Sequence, residues 1–240
     1  MQAQQAREFV TRIIQIKDET PTVKSFKVEL PDGISSFYPG QFYMVSFPNH
    51  PEIKTARAYS ISSSPMQKSH LEIALNKVGP FTTEMFALKE GDLLKFKGPY
   101  GKFYFSDDIK NDLVLIAGGT GITPLISILR YCTDKELENK ITFFYSIRNP
   151  EEIIFHENIK KLKGQNPNLK YYITITRPEE RHEWEGRKGR IDFDLLKDEI
   201  QNPEQKVYFI CGSKEFVESI ISMLSQLGVG KGQIRTDVWG

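Results

Sequence analysis

Leu113-Val114-Leu115-Ile116-Ala117-Gly118-Gly119-Thr120-Gly121-Ile122-Thr123-Pro124 joins an unbroken apolar run to a glycine-rich turn and a helix-starting proline. A short apolar run bounded by a turn reads as a strand buried on both faces, the kind found in parallel sheets. Gly118, Gly119 and Gly121 carry no side chains, so the backbone can bend sharply and approach a pyrophosphate. The first amides of the following helix then point at the anion. Pro124 suits a first helical turn. The stretch lacks the Lys-Ser/Thr of a Walker loop, and Pro124 stands where a GxGxxG fingerprint has its third glycine. A plain strand-to-helix turn has the same pattern, so the surroundings must decide.

Downstream, apolar runs at Ile141 to Ser146, Tyr171 to Thr176 and Val207 to Cys211 alternate with helical stretches near Pro124 to Cys132, Glu151 to Leu162 and Lys214 to Leu227. That alternation predicts a doubly wound α/β domain with a parallel sheet. Upstream the period is two. Phe26 to Leu30, Phe42 to Phe47 and Leu71 to Leu75 alternate apolar and polar residues between turns such as Pro31-Asp32-Gly33 and Tyr38-Pro39-Gly40. Such closely spaced antiparallel strands predict a small β-barrel, interrupted by one helix over Thr82 to Leu88. The expected division is therefore a barrel over residues 1–108 and a Rossmann-like α/β domain over 109–240, changing near Ser106 to Asn111. There is no internal repeat.

The 240 residues suffice for two such domains. Lys and Arg number 32 against 31 Asp and Glu, so no overall charge favours nucleic acid or an acidic membrane. No apolar run approaches the ~20 residues of a membrane span, and Met1 to Phe9 is too polar for a secretory leader, which predicts a cytoplasmic protein without membrane insertion. Cys132 and Cys211 are far apart and do not make an iron-sulfur or zinc motif; His50, His70, His156 and His182 show no metal spacing and read as surface or loop residues. No metal site is expected.

A second chemical motif lies in the barrel half, in Arg57-Ala58-Tyr59-Ser60-Ile61-Ser62-Ser63-Ser64-Pro65. A guanidinium can hold a pyrophosphate, a phenol ring can lie on an isoalloxazine face, and hydroxyls can bond its edge. Arg57-Ala58-Tyr59-Ser60 resembles the RxYS flavin motif of ferredoxin-NADP reductase-like proteins. Gly79-Pro80-Phe81-Thr82-Thr83 resembles the stretch that holds the FAD pyrophosphate, and Gly98-Pro99-Tyr100-Gly101-Lys102-Phe103 the interdomain turn. Gly118 to Pro124 resembles the nicotinamide-nucleotide loop, Cys211-Gly212-Ser213 the motif beside the nicotinamide, and Trp239 the C-terminal aromatic. The ordered motifs cover essentially the whole chain.

The resemblance implies FAD held by Arg57, Ala58, Tyr59, Ser60, Gly79, Thr82 and Thr83. It implies a nicotinamide nucleotide held by Gly119, Thr120, Gly121, Thr123, Pro124, Cys211 and Gly212. Ser60 would lie near the flavin nitrogen that receives hydride and Cys211 near the carbon that gives it, both acting by position; Trp239 would stack on the flavin face opposite Tyr59 and move aside for the nicotinamide. NAD(P)H would then reduce FAD, which would pass single electrons to a ferredoxin, a flavodoxin or an oxygenase component. Two rival readings are an electron-transfer subunit of a larger oxygenase or dehydrogenase and a nucleotide-sensing module without catalysis. Arg177 and Arg190 lie where cations can contact phosphate near the adenosine end of the nucleotide, and Arg148 replaces the acidic residue that would bond a free ribose hydroxyl; Arg148 and Arg177 favour NADPH over NADH.

Overall fold

The computed structural model describes residues 6–34, 37–179 and 183–239. Its first half contains β1 (Arg7–Thr20), β2 (Val23–Glu29), β3 (Phe42–Ser46), β4 (Arg57–Ser60), β5 (His70–Asn76), α1 (Pro80–Ala87) and β6 (Leu93–Tyr100). The antiparallel strands lie in the order β4-β3-β6-β1-β2-β5. Just past β4, Ile61 bridges Ile73 of β5, so the sheet nearly closes into a six-stranded barrel. Its interior is filled by Phe26, Tyr43, Val45, Ile61, Leu94 and Phe96.

The second half contains β7 (Leu113–Gly118), α2 (Ile122–Asp134), β8 (Ile141–Ile147), α3 (His156–Gln165), β9 (Leu169–Ile175), β10 (Arg187–Lys188), α4 (Phe193–Glu199), β11 (Val207–Ser213), α5 (Lys214–Gln226) and β12 (Ile234–Trp239). Its sheet is parallel, ordered β10-β9-β8-β7-β11-β12. α2 and α3 cover one face with Leu125, Leu129 and Ile159, while α4 and α5 cover the other with Leu196, Ile220 and Leu224. The strand order reverses between β7 and β11. In open α/β sheets ligands bind outside the strand C-termini at that switch point.

Period-two alternation explains how the halves meet. Leu71, Ile73 and Leu75 of β5 point into the barrel core, whereas Ala74 joins the core of the α/β domain together with Val23. The connecting segment is held on both sides. Phe103, Phe105 and Ile109 bury in the α/β core, the Phe105 amide donates to the Pro39 carbonyl, and Arg235 of β12 donates to the Tyr104 carbonyl at 2.6 Å.

Several sequence expectations need correction. The helix expected over Glu151 to Leu162 is a 3-10 turn at Pro150–Glu152 followed by α3 from His156. Ile153, Ile154 and Phe155 are all buried and Phe155 has φ +58°, which a continuous helix excludes. Of the histidines read as surface or loop residues, His50 lies in a loop, His70 and His156 are partly exposed at the starts of β5 and α3, and His182 lies outside the described residues. β1, α4 and β12 were not anticipated. Trp239 ends a strand paired in register with β11, opposite Ser213.

Candidate active site

On the barrel side the site begins at β4. Arg57 to Ser60 pair with Val45 to Phe42 of β3, and β4 ends the sheet order, so its other edge carries no strand until the Ile61 bridge. Such an edge presents backbone donors and acceptors to a ligand. Arg57 is exposed, and among the described residues its guanidinium has no carboxylate partner, only the Ala56 carbonyl at 3.4 Å. Tyr59 is half-buried beside Phe81, with ring centres 6.1 Å apart; desolvation pushes its phenol up to about 12, with a smaller opposing effect from Arg57, so the ring stays neutral.

α1 starts next to this edge. Its N-cap, Gly79, offers no side chain to the first turn, Pro80 opens the helix, and no acidic residue stands there. Thr82 is buried: its hydroxyl accepts from the amides of Val78 at 2.8 Å and Gly79 at 2.9 Å and donates to the Gly79 carbonyl. Thr82 therefore shapes the loop from within. Thr83 is the exposed hydroxyl of that turn.

On the α/β side a 3-10 turn, Gly119–Gly121, leads from β7 into α2, and neither turn nor helix is capped by a side chain. By contrast Asp192 caps α4 and Ser213 caps α5. Buried helix starts without caps need another partner. Gly119 has φ +55°, a left-handed conformation that favours glycine. A Cβ on Gly121 would stand 2.2 Å from the Cys211 carbonyl oxygen, so only glycine lets the turn lie directly on the end of β11. A Cβ on Gly119 would stand 3.7 Å from the indole of Trp239, which is 45% exposed. The turn, Cys211, Gly212 and Trp239 thus meet at the switch point. Thr123 is buried, its hydroxyl donating to the Thr120 carbonyl at 3.0 Å, and Pro124 is buried inside α2.

Cys211 is 1% exposed and its Sγ lies 4.0 Å from Oδ2 of Asp237, opposite it on β12. Burial raises the thiol, with a further push from Asp237, and burial raises the Asp237 carboxyl. Burial therefore disfavours the thiolate, the nucleophilic form. Sequence reasoning missed Asp237. The only signal in the sequence is an acidic residue two places before Trp239.

The three cations lie further out. Arg148 follows β8 and Arg177 follows β9, and the Arg177 amide donates to the Arg148 carbonyl at 2.9 Å, so parallel pairing brings these exposed side chains to one rim. Arg190 is exposed after β10. Arg187 is occupied by a bidentate contact with Asp192 at 2.8 and 2.6 Å.

Comparison with known proteins accords with this geometry. Residues 10–105 match the model of an oxidoreductase FAD-binding domain and residues 115–221 that of an oxidoreductase NAD-binding domain. The gamma subunit of sulfhydrogenase 1 from Pyrococcus furiosus is 32% identical over 88% of this chain and 71% of its own length. The chain belongs to the ferredoxin-NADP reductase-like family. It carries the FAD-binding and NAD-binding domains of an oxidoreductase. The phenol hydroxylase P5 protein of Acinetobacter pittii is 30% identical over 96% of this chain and 65% of its own length. The chain spans between 52% and 65% of the first curated relatives. A ferredoxin NADP+ reductase from Neisseria gonorrhoeae, solved with bound FAD and NADP, shares the fold with a TM-score of 0.81 at 23% identity, covering 98% of this chain and 99% of that one.

The residues of this reductase-like chain fit both nucleotides. The uncapped starts of α1 and of the turn before α2 suit phosphates, and the unpaired Arg57 supplies a cation beside the first. The open edge of β4 suits a flavin ring. Among the described residues no helix is long and apolar enough to cross a membrane.

Proposed function

We propose that this chain oxidises NADPH in preference to NADH and delivers electrons singly to a ferredoxin, a flavodoxin or an oxygenase component. The carrying observation is the packing of Gly121 against the Cys211 carbonyl, which sets the nucleotide turn beside the end of β11 and the indole of Trp239. FAD, when bound, takes two electrons from a reduced nicotinamide and gives them up one at a time.

The chain's residues do the positioning. We assign Arg57, Gly79 and Thr83 to the FAD pyrophosphate, with Thr82 holding their loop, and Ala58, Tyr59 and Ser60 to the flavin ring. Gly119, Thr120 and Gly121 receive the nicotinamide nucleotide, Thr123 and Pro124 anchor the turn, and Cys211 and Gly212 bound the nicotinamide pocket. Burial disfavours a Cys211 thiolate in that pocket, and Asp237 adds to the effect. Trp239, exposed at the end of an edge strand, covers the flavin face and moves aside for the nicotinamide. We place the division between domains after residue 108.

The rim of Arg148, Arg177 and Arg190 supports the NADPH preference, since no acidic residue ends β8. A role as an electron-transfer subunit is the second reading, favoured by relatives that are named as subunits and extend well beyond this chain. Steady-state turnover with a soluble one-electron acceptor tests the assignment. Arg148→Ala is expected to lower the NADPH-to-NADH ratio of kcat/KM by about tenfold, the effect of one charge-assisted phosphate contact, and Trp239→Ala to lower it by raising activity with NADH. An unchanged ratio in both variants removes the proposal.

A further inference from the structure

The serines that follow the flavin motif lie in the seam between the domains, and α2 grips them. Ser127 donates to the Ser63 carbonyl at 2.7 Å, and Arg130 donates to the Ser62 carbonyl at 2.8 Å. The same Arg130 nitrogen donates to Glu72 of β5 at 2.8 Å, and the other terminal nitrogen to Asn158 of α3 at 2.8 Å. Its guanidinium also lies 4.9 Å from the centre of the Phe155 ring. The side chains of Arg130 and Glu72 are 13% and 5% exposed, and Ser127 is fully buried.

This ion pair therefore crosses from one domain to the other with little water around it. Buried pairs gain little over apolar packing of the same shape, because desolvation offsets the attraction. What a planar guanidinium adds is direction, since it fixes several acceptors at once. Both ends of this arrangement lead straight to the candidate active site. Ser62 stands two residues past Ser60, the last residue of β4, and Thr123, Ser127 and Arg130 follow one another at helical spacing on the barrel-facing side of α2. The path from Gly121 to Arg130 along the helix is only ~14 Å. The Glu72 amide in turn donates to the Ser63 hydroxyl at 3.0 Å, and the Ser62 amide to the Glu72 carbonyl at 2.8 Å, so the serine segment is bonded to β5 as well as to α2.

We propose that Arg130, with Glu72 and Ser127, is a positioning clasp that sets the distance between the flavin edge of β4 and the nucleotide turn of α2. It touches neither cofactor. This assignment rests on the functional reading above, but its structural half can be judged without it. A shift of about 1 Å between reacting groups can cost as much as a hundredfold in rate, so a clasp that fixes domain register acts on the rate at saturation and leaves binding of either nucleotide alone.

The test uses the full chain loaded with FAD, and the variants Arg130→Met, Arg130→Lys and Glu72→Gln. The expected result is a tenfold to hundredfold fall in the limiting rate of flavin reduction by NADPH for Arg130→Met. The dissociation constants of FAD and NADPH are expected to stay within about threefold of the parent. Arg130→Lys restores part of the rate. In parallel, hydrogen exchange of the amides from Ile61 to Ser64 is expected to speed up at least about tenfold in Arg130→Met and Glu72→Gln as the seam opens. Should Arg130→Met fail to fold, the isosteric Glu72→Gln carries both measurements. A limiting rate and exchange pattern equal to the parent's overturns the clasp, as does a loss confined to NADPH affinity. If the parent itself is not reduced by either nucleotide, the functional reading has failed, and the exchange data alone decide whether the clasp exists.

Discussion

Arg57 meets no carboxylate among the described residues, which makes it a cation held ready at the start of a strand edge. Replacing it by alanine removes one charge-assisted contact, a class worth about 1.5 to 3 kcal/mol, so FAD affinity is expected to fall ten- to a hundredfold. Titration of the apoprotein with FAD measures this, and an unchanged dissociation constant contradicts the assignment. Asp237 gives a pH-dependent prediction. Its carboxyl is raised by burial, so its stabilising contribution is complete at pH below its unfolded value and is lost as pH rises through the folded one. At pH 7.5 the ionised, partly desolvated carboxylate is a burden that asparagine lacks. Asp237→Asn is therefore expected to melt above the parent at pH 7.5, with the difference shrinking towards pH 4. A melting difference that does not change with pH would show that Asp237 ionises as freely as in the unfolded chain. Arg57 was legible because an exposed cation in a dense motif stands out. Asp237 was not, because its meaning comes from lying opposite Cys211 across two strands distant in sequence.

The loop before α1 owes its shape to one buried hydroxyl. Thr82 receives two backbone amides, and Thr82→Val keeps the volume while leaving both donors unpaired. A stability loss of about 1 to 3 kcal/mol in urea unfolding is expected, together with weaker FAD binding, because Gly79 and Thr83 lose their fixed arrangement. Full stability in Thr82→Val would mean that water replaces the hydroxyl. Elements with strong periodicity were readable in advance: the apolar run Leu113 to Ala117 became the central strand β7, and Lys214 to Leu227 became α5 almost to the residue. β1 escaped because Val10 and Ile14 are apolar yet exposed and Thr11 is polar yet buried, so the apolar alternation is broken. The helix expected from Glu151 failed at Ile153, Ile154 and Phe155, whose burial in the α/β core outweighs helical continuity. β12 reads as polar because it is an edge strand with its outer side in water.

In the whole molecule, the barrel and the parallel sheet share a packed seam, with Val23 and Ala74 of the barrel strands buried in the core of the α/β domain. The division into a barrel and an α/β sheet was visible in the sequence as a change of period. The seam was not, because β5 is buried on two faces by two different cores, and a single strand cannot announce which neighbour covers each face. We propose that this architecture lets a reduced nicotinamide nucleotide reach FAD held by the same chain. Anaerobic stopped-flow mixing of the FAD-loaded protein with NADPH and, separately, with NADH tests it most directly. Rapid loss of the oxidised-flavin absorbance is expected with NADPH, and slower loss with NADH. Bound flavin that keeps its oxidised spectrum in excess of both nucleotides would contradict it.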